Sequence, residues 1–440
     1  MLYSLELDLA HWNTPEWNPF GHLIKPGMTV VIKPNFVLSR HFCKGDIFSI
    51  ITHPSVIRAI ADYCWIALKG EGKIIIADAP QYNCNFNELL EVTKLNKVKD
   101  FINSFSGAKV EIYDLRDYWS KTRHFPSCIR RLPGDPNGKL MVYLGSKSAF
   151  YSYPHTSKLY GAVYHRNETI SHHTRECQEY ELSRTIFDAN VIISVPKLKV
   201  HKKAGVTLNL KGLIGICTNK NLCPHYTLGS PSKGGDQYPD NWFTRTQQAV
   251  IIFERWMYDH FLAKRTKRHE FVHRTIYGFF YLKIFRHLGL DIPKEKRMLD
   301  AGNWYGNDTV WRTVVDLAKI IYFADREGKL HNESQRKLFS IVDGIVGGEN
   351  DGPLFPDPKP AGILLGGDNL LAVDIVATRV MGFDFLKLKQ FTMLDKRFDF
   401  GPSNMDQIEI KTDKKSFKGD LSLFAFKPHP GWKGHIEYEK

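Results

Sequence analysis

Residues 190–216 read NVIISVPKLKVHKKAGVTLNLKGLIGI. The opening run, Asn190 to Val195, is apolar and β-branched and is closed by Pro196-Lys197, which predicts a strand buried on both faces. Beyond Pro196, strand alternation predicts Lys197, Lys199 and His201 on one face, with Leu198 and Val200 on the other. Two ammonium groups beside an imidazole disfavour the imidazolium, leaving a neutral histidine able to act as base or metal ligand. Lys211 follows in a run where Gly205, Gly212 and Gly215 permit close backbone approach to a ligand. The same face also reads as a solvated basic strand edge that guards against aggregation.

Upstream, the pattern is strand, helix, strand. Met28 to Ile32 is a short apolar run that stops at Lys33-Pro34-Asn35, and Thr52-His53-Pro54 is a helix start. Val56, Ile57, Ile60, Ala61 and Cys64 then recur at helical spacing up to Gly70. Lys73 to Ala77 is a strand ending at Asp78, a helix is expected around Phe86 to Phe105, and Lys109 to Leu115 alternates as another strand. Apolar strands separated by amphipathic helices predict a parallel sheet with right-handed crossovers.

Arg116 to Glu181 is rich in Tyr, Ser, His and Pro and reads as a loop or hairpin elaboration, and Leu228 to Pro239 as a turn-rich loop. Thr244 to Leu288 is helical, basic and aromatic. Phe280, Tyr281, Ile284 and Leu288 share a face, and Lys264, Arg265, Lys267, Arg268 and Arg274 crowd the region with Glu270 opposing them. Further on, Thr309 to Ala324 reads as a helix, Leu338 to Val342 as a strand ending at Asp343, Gly362 to Leu365 as a strand and Leu370 to Met381 as a helix. The fold class is therefore α/β: two α/β lobes with mostly parallel sheets, spanning residues 1–225 and 301–440, and a loop plus basic helical insertion over residues 226–300.

In open α/β sheets, ligands sit outside the carboxyl ends of strands. The polar strand ends here are Lys33-Pro34-Asn35, Asp78, the Lys197–His201 segment and Asp343. Convergence of such groups suits an anionic substrate handled with acid–base or metal assistance. His201, Lys199 and Lys211 are the candidate catalytic residues. Lys33, Asn35, His53 and Lys197 are the candidate substrate-binding residues, His53 through a ring aimed at an anion near a helix N-terminus. Ile341 to Pro353 (IVDGIVGGENDGP) carries Asp343 and Glu349 among glycines. That composition predicts a flexible loop of oxygen ligands which, with Asp78, holds magnesium or a transition metal. An ordinary Gly/Asp turn is the plain alternative. Asp374, inside the apolar helix LLAVDIVATRV, needs a partner, with Arg379 in reach. Cys217, Cys223 and His225 could join His201 around a soft metal, although C-x₅-C-x-H is not a standard spacing.

The formal charge of +13 attracts anions in general without choosing among them. Cysteines 43, 64, 84, 128, 177, 217 and 223 are scattered, with no C-x-x-C pair, so zinc-ribbon, ferredoxin and thioredoxin signatures are missing and free thiols in a reducing compartment are expected. Met1 to Pro26 does not read as a secretory signal, and there is no apolar run of about 18 residues, so a cytoplasmic location is expected. No G-x-S-x-G, G-x-G-x-x-G or G-x-x-x-x-G-K-[ST] occurs. The 244–288 segment has three readings: a lid over the cleft, a homo-oligomer contact, or a peripheral contact with an anionic membrane. Nucleic acid is disfavoured because no recognition module is visible.

The strings VVIKPN at 30–35, THP at 52–54, IIIADAP at 74–80 and VPKLKVH at 195–201 resemble the domain of unknown function 362 family. So do TLNLKGLIGI at 207–216, DGIVGGENDGP at 343–353 and AVDIVATRVMG at 372–382, an ordered set over roughly residues 28 to 390. Many members of that family carry ferredoxin-like cysteine clusters. This chain lacks them, so the resemblance implies no iron–sulfur cluster here. More loosely, the architecture is similar to that of the lactate racemase family, whose nickel-pincer cofactor is bound through His and Lys, with no matching motif. The expected function is thus an enzyme of unsettled reaction type, with an anion-binding, metal-assisted site at strand C-terminal ends between the two α/β lobes. The competing class is a non-catalytic scaffold held at an anionic membrane by residues 244–288.

Overall fold

The computed structural model describes residues 1–439 except 106, 108, 122–127, 164, 263–265, 414–420 and 422, and except the side chains of 281 and 282. Lys264, Arg265 and the side chain of Tyr281 therefore lie outside the described residues. Eight strands form the central sheet: β1 (Thr29–Pro34), β2 (Lys73–Asp78), β3 (Lys109–Asp114), β4 (Val191–Val195), β5 (Lys197–His201), β6 (Gly205–Val206), β7 (Lys337–Asp351) and β8 (Phe355–Gly367). β3, β2, β1, β4 and β7 pair side by side and all run parallel. β5 continues from β4 along the same edge of β7, also parallel, while β6 and β8 add antiparallel hairpin partners.

Period-two alternation along the β-branched strands divides the core. Val31, Ile75 and Ile192 face one layer, together with Leu198, Val200 and the helices Val310–Phe323 and Leu370–Val380. Val30, Ile32, Ile74, Ile76, Val191, Ile193 and Val195 face the other, against helix Pro54–Leu68. The sheet is thus covered on both sides, as continuous apolar strands require. Residues 86–105 form two helices, Phe86–Thr93 and Leu95–Phe105, divided at Lys94, whose φ of 56° is left-handed. Between Tyr118 and Ser183 the elaboration is built of short antiparallel pairs, Tyr118–Ser120 with Ile129–Arg131 and Lys139–Tyr143 with Glu179–Ser183.

Two sequence expectations change. The sheet crosses the expected lobe boundary, because β7, from the C-terminal third, lies against β4 and β5. The second change concerns Ile341–Pro353: the strand does not stop at Asp343 but runs to Asp351, so the expected flexible acidic loop is ladder. Its glycines serve packing. A Cβ on Gly347 would come 2.6 Å from the Phe426 ring, and one on Gly348 would come 2.6 Å from the Ser49 carbonyl. Small residues here let neighbouring chain close on both faces of the strand.

The tie between β5 and β7 is ionic. Lys197 Nζ lies 2.8 Å from Asp343 Oδ2, and both side chains are wholly excluded from solvent. Breaking a buried pair strands an uncompensated charge, whereas replacing both members by apolar groups of similar volume is often neutral. Asp343→Ala should therefore cost about 3–5 kcal/mol in denaturant unfolding. The double variant Lys197→Met/Asp343→Leu should recover most of that loss, and equal losses in the two proteins would show that the pair itself is not what is being measured.

Candidate functional site

β1 has β2 on one side and β4 on the other, so the chain order reverses beside β1, and crevices form outside the carboxyl ends of strands at such a switch point. A cavity of about 130 Å³ opens there. Asn35 follows β1, and the segment Asp78 to Tyr82 closes β2. Lys199 and His201 come from β5, Lys211 from helix Leu208–Gly212, Lys220 from a short 3₁₀ turn and His225 from strand Pro224–Thr227. Lys202, Lys203 and Thr207 complete the polar lining.

Five lysines thus face a cavity whose lining includes one carboxylate, Asp78, and that carboxylate is already engaged. Its Oδ1 accepts from Lys33 Nζ at 2.9 Å and its Oδ2 from the Phe36 amide at 2.9 Å. Gly215 makes this possible: a Cβ there would press into Asp78 Oδ1 and stand 2.7 Å from Lys33 Nζ. The Gly215 carbonyl also accepts from the Ala79 amide at 2.7 Å, locking the helical turn against the end of β2.

Burial and mutual repulsion weaken the protonated forms of Lys199, Lys211 and Lys220. Lys211 is pushed down to about 7, by desolvation first and by Lys220 and Lys203 after it. Desolvation likewise lowers Lys220, and lowers Lys199 well below the usual lysine range with help from Lys197 and Lys211. Lys199 Nζ donates to the Ile50 carbonyl and Lys220 Nζ to the Ile214 carbonyl. Among the described residues nothing accepts from Lys211 Nζ, which leaves that amine for the cavity.

The two histidines are neutral for the same reason, burial acting first and Lys211 next in each case. Their ring protons are placed by the backbone. His201 Nδ1 accepts from the Lys203 amide at 3.1 Å, so its proton sits on Nε2. His225 Nδ1 lies 2.8 Å from the Cys223 carbonyl, which only accepts, so Nδ1 carries the proton and Nε2 keeps its lone pair. One ring therefore offers a donor and the other an acceptor. Asn35 Oδ1 and Thr207 Oγ1, both buried in the lining, have no hydrogen-bond partner among the described residues. Each of these atoms has hydrogen-bonding capacity that the described residues leave unused.

Asp374 holds the helix that carries Lys211. Its Oδ1 accepts from the Asn209 amide and side chain and its Oδ2 from the Leu210 amide, each at 2.8 Å. The expected partner Arg379 is not used. Burial raises the Asp374 carboxyl to about 7 against the opposing pull of those donors.

Of the residues singled out in the sequence, Asn35, Asp78, Lys199, His201 and Lys211 come together. Lys33, Lys197, His53, Asp343 and Glu349 do not line the cavity. Lys33 and Lys197 are given to carboxylates, as expected substrate ligands are not. The anion at the N-terminus of helix Pro54–Leu68 is Asp343, whose Oδ2 accepts from the His53 amide at 2.7 Å, while the His53 ring turns to Ser55. Glu349 accepts from the Lys427 amide at 3.0 Å and lies 3.6 Å from Lys359 Nζ. The expected metal set Asp78, Asp343 and Glu349 is thus dispersed among separate cationic and amide partners. Among the described residues no three His, Cys, Asp or Glu side chains stand where they could hold one metal ion. Among the lining residues that the sequence reading left out of its site are Lys202, Lys203, Thr207, Lys220 and His225. Only the spacing of His225 from Cys223 hinted at the last.

A family model described as Domain of unknown function (DUF362) matches residues 133–379. The strings at 30–35, 52–54 and 74–80 lie N-terminal to that span. No curated protein and no solved structure matches the chain.

Gly215→Val forces a branched side chain into the Asp78–Lys33 contact. The variant should lose about 1–3 kcal/mol by overpacking, and the lining should loosen, read as faster amide hydrogen exchange at Ala79 and Phe36. Unchanged protection at both amides would show that Gly215 is not what seats this turn.

Proposed function

Given that the chain belongs to the DUF362 family, whose description assigns no reaction, we propose from the site alone that the cavity binds a small anion and moves a proton to or from it. The observation that supports this is the convergence of Lys199, Lys202, Lys203, Lys211 and Lys220 on a space whose lining carboxylate is already paired. A cluster of cations in low dielectric is unfavourable by itself and is relieved by an anionic ligand. A carboxylate or phosphate group of a small metabolite fits both the charge and the volume.

In this reading Lys211, near neutrality, binds the anion as the ammonium. His201 Nε2–H donates to an oxygen of the ligand. His225 Nε2, with its lone pair fixed by the Cys223 carbonyl, takes the proton as general base. Lys199 and Lys220, tethered to carbonyls, set the potential rather than the contact. Thr207 Oγ1 orients the ligand by donating to it, and Asn35 Oδ1 by accepting from any hydroxyl or amine the ligand carries.

Sulfate, doubly charged throughout the neutral range, is a suitable probe. The free-state Lys211 amine is depressed to about 7, so the protonated form that attracts the anion is complete below that pH and is lost above it. Sulfate affinity should be greatest below about pH 7 and fall up to tenfold per unit above it. Binding should be accompanied by proton uptake near neutrality, visible in calorimetry as a buffer-dependent heat. Lys211→Met should weaken sulfate roughly 10- to 100-fold, the loss of one charge-assisted bond, and flatten the pH profile. His225→Gln should keep sulfate binding but abolish solvent-deuterium exchange into any small carboxylate that the wild type labels. A Lys211→Met protein with native affinity and native pH dependence would refute the assignment.

A further inference from the structure

Residues 245–285 form a helical hairpin outside the cavity lining, and its chemistry is independent of the anion site. The first arm is Arg245–Met257 with a π-helical turn at Tyr258–Leu262, and the second is Lys267–Tyr277 continued by the π-helical Gly278–Phe285. None of the described residues between 244 and 288 lines the cavity. The inner side is settled: Val250 and Ile251 pack with Tyr238, Phe243 and Ile292, and Phe285 closes on the same cluster.

The outer side is not what a solvated face normally shows. Ile252, Trp256, Phe271, Phe279, Phe280 and Leu288 are all exposed, Phe271 to 71% and Leu288 to 61%. Scattered single apolar residues on a surface are ordinary, but five large ones on one hairpin, with Leu288 just beyond it, are not. Among them stand the exposed cations Lys267, Arg268, Lys283 and Arg286. The acidic residues of the hairpin are all taken by arginines: Glu254 by Arg297 at 2.7 Å, Asp259 by Arg166 at 2.9 Å and Glu270 by Arg274 at 2.8 Å. What faces outward is therefore aromatic and aliphatic surface carrying uncompensated positive charge.

We propose that this hairpin docks the protein on an anionic lipid surface, laying Phe271, Phe279 and Phe280 into the headgroup–acyl boundary with Lys267, Arg268, Lys283 and Arg286 against the lipid phosphates. Charge selects this occupant over a second copy of the chain. A two-fold contact sets the same patch against itself, and here that would bring like cations together on a protein of formal charge +13. No helix among the described residues is long and apolar enough to cross a bilayer, so the contact is one of lying on the surface. Within the π-helical stretch Gly278–Phe285, Phe279 and Phe280 are exposed, where shallow insertion needs apolar side chains.

The test is co-sedimentation of the full chain with phosphatidylcholine vesicles, with and without phosphatidylserine, at low and high salt. Binding should require phosphatidylserine and weaken with salt. Lys283→Glu/Arg286→Glu should lower the partition coefficient by more than the roughly fivefold per cation that removal of each charge implies. Phe271→Ser/Phe279→Ser should lower it at every salt concentration, since it removes the insertion and not the attraction. All four positions are at the surface, and an unchanged circular-dichroism spectrum and thermal midpoint check that each variant is folded. The proposal is overturned by absence of binding, by equal binding to neutral and anionic vesicles, or by binding that both double variants keep. It is equally overturned if the wild type forms a dimer that these substitutions dissolve, since the patch would then be an interface between copies.

Discussion

Asp343 is held by three donors at once: Lys197 Nζ at 2.8 Å, the His53 amide at 2.7 Å and the Ile345 amide at 3.0 Å. A carboxylate placed there with no partner would be prohibitively desolvated, and an unpartnered Lys197 equally so. Each makes the other tolerable, and the pair fixes three things together. It registers β5 against β7, anchors the N-terminus of helix Pro54–Leu68 to the middle of the sheet, and commits the face of β5 that also bears Lys199 and His201 to burial. The cationic cavity follows from that commitment, because with β5 seated, its later residues project into the crevice beside β1.

The same rule of compensated burial distinguishes scaffold from site. Lys33 and Lys197 have carboxylates, and their charges are spent within the protein. Lys199 and Lys220 have carbonyls, which satisfy their hydrogens but not their charge. Lys211 has neither among the described residues. Moving along this series, the protein satisfies its own cations less and less. The histidines carry the pattern on to protons: two rings in similar surroundings receive opposite tautomers because one meets an amide and the other a carbonyl.

Second, positioning is done by small residues and backbone donors more than by the charged residues that attract attention. Gly215 admits the Asp78–Lys33 contact, Gly347 and Gly348 let Phe426 and the 49–50 segment close over β7, and Asp374 clamps the start of the Lys211 helix through two amides. The hairpin at 245–285 is built by a different logic, its acidic side chains neutralised and its apolar side chains left outward. Cavity and hairpin share a positive sign and little else.

Local periodicity by itself determined the α/β class, the positions of β1 to β5 and of the main helices, and the common face of Lys197, Lys199 and His201. These are properties of a few consecutive residues, and a period of two or of 3.6 is legible within such a window. It also grouped Lys211 with Lys199 and His201, beside which it lies in the cavity lining. Which charges pair inside the protein was decided by tertiary structure, because Lys33 and Asp78 are 45 residues apart and Lys197 and Asp343 are 146 apart. The glycine-rich run after Asp343 reads as a loop until its neighbours are known, since only close packing against Phe426 and Ser49 shows that those glycines serve a strand. The tautomer of His225 was out of reach for the same reason: a ring's free nitrogen is set by which backbone group lies against the other one, and that is a matter of three-dimensional contact alone.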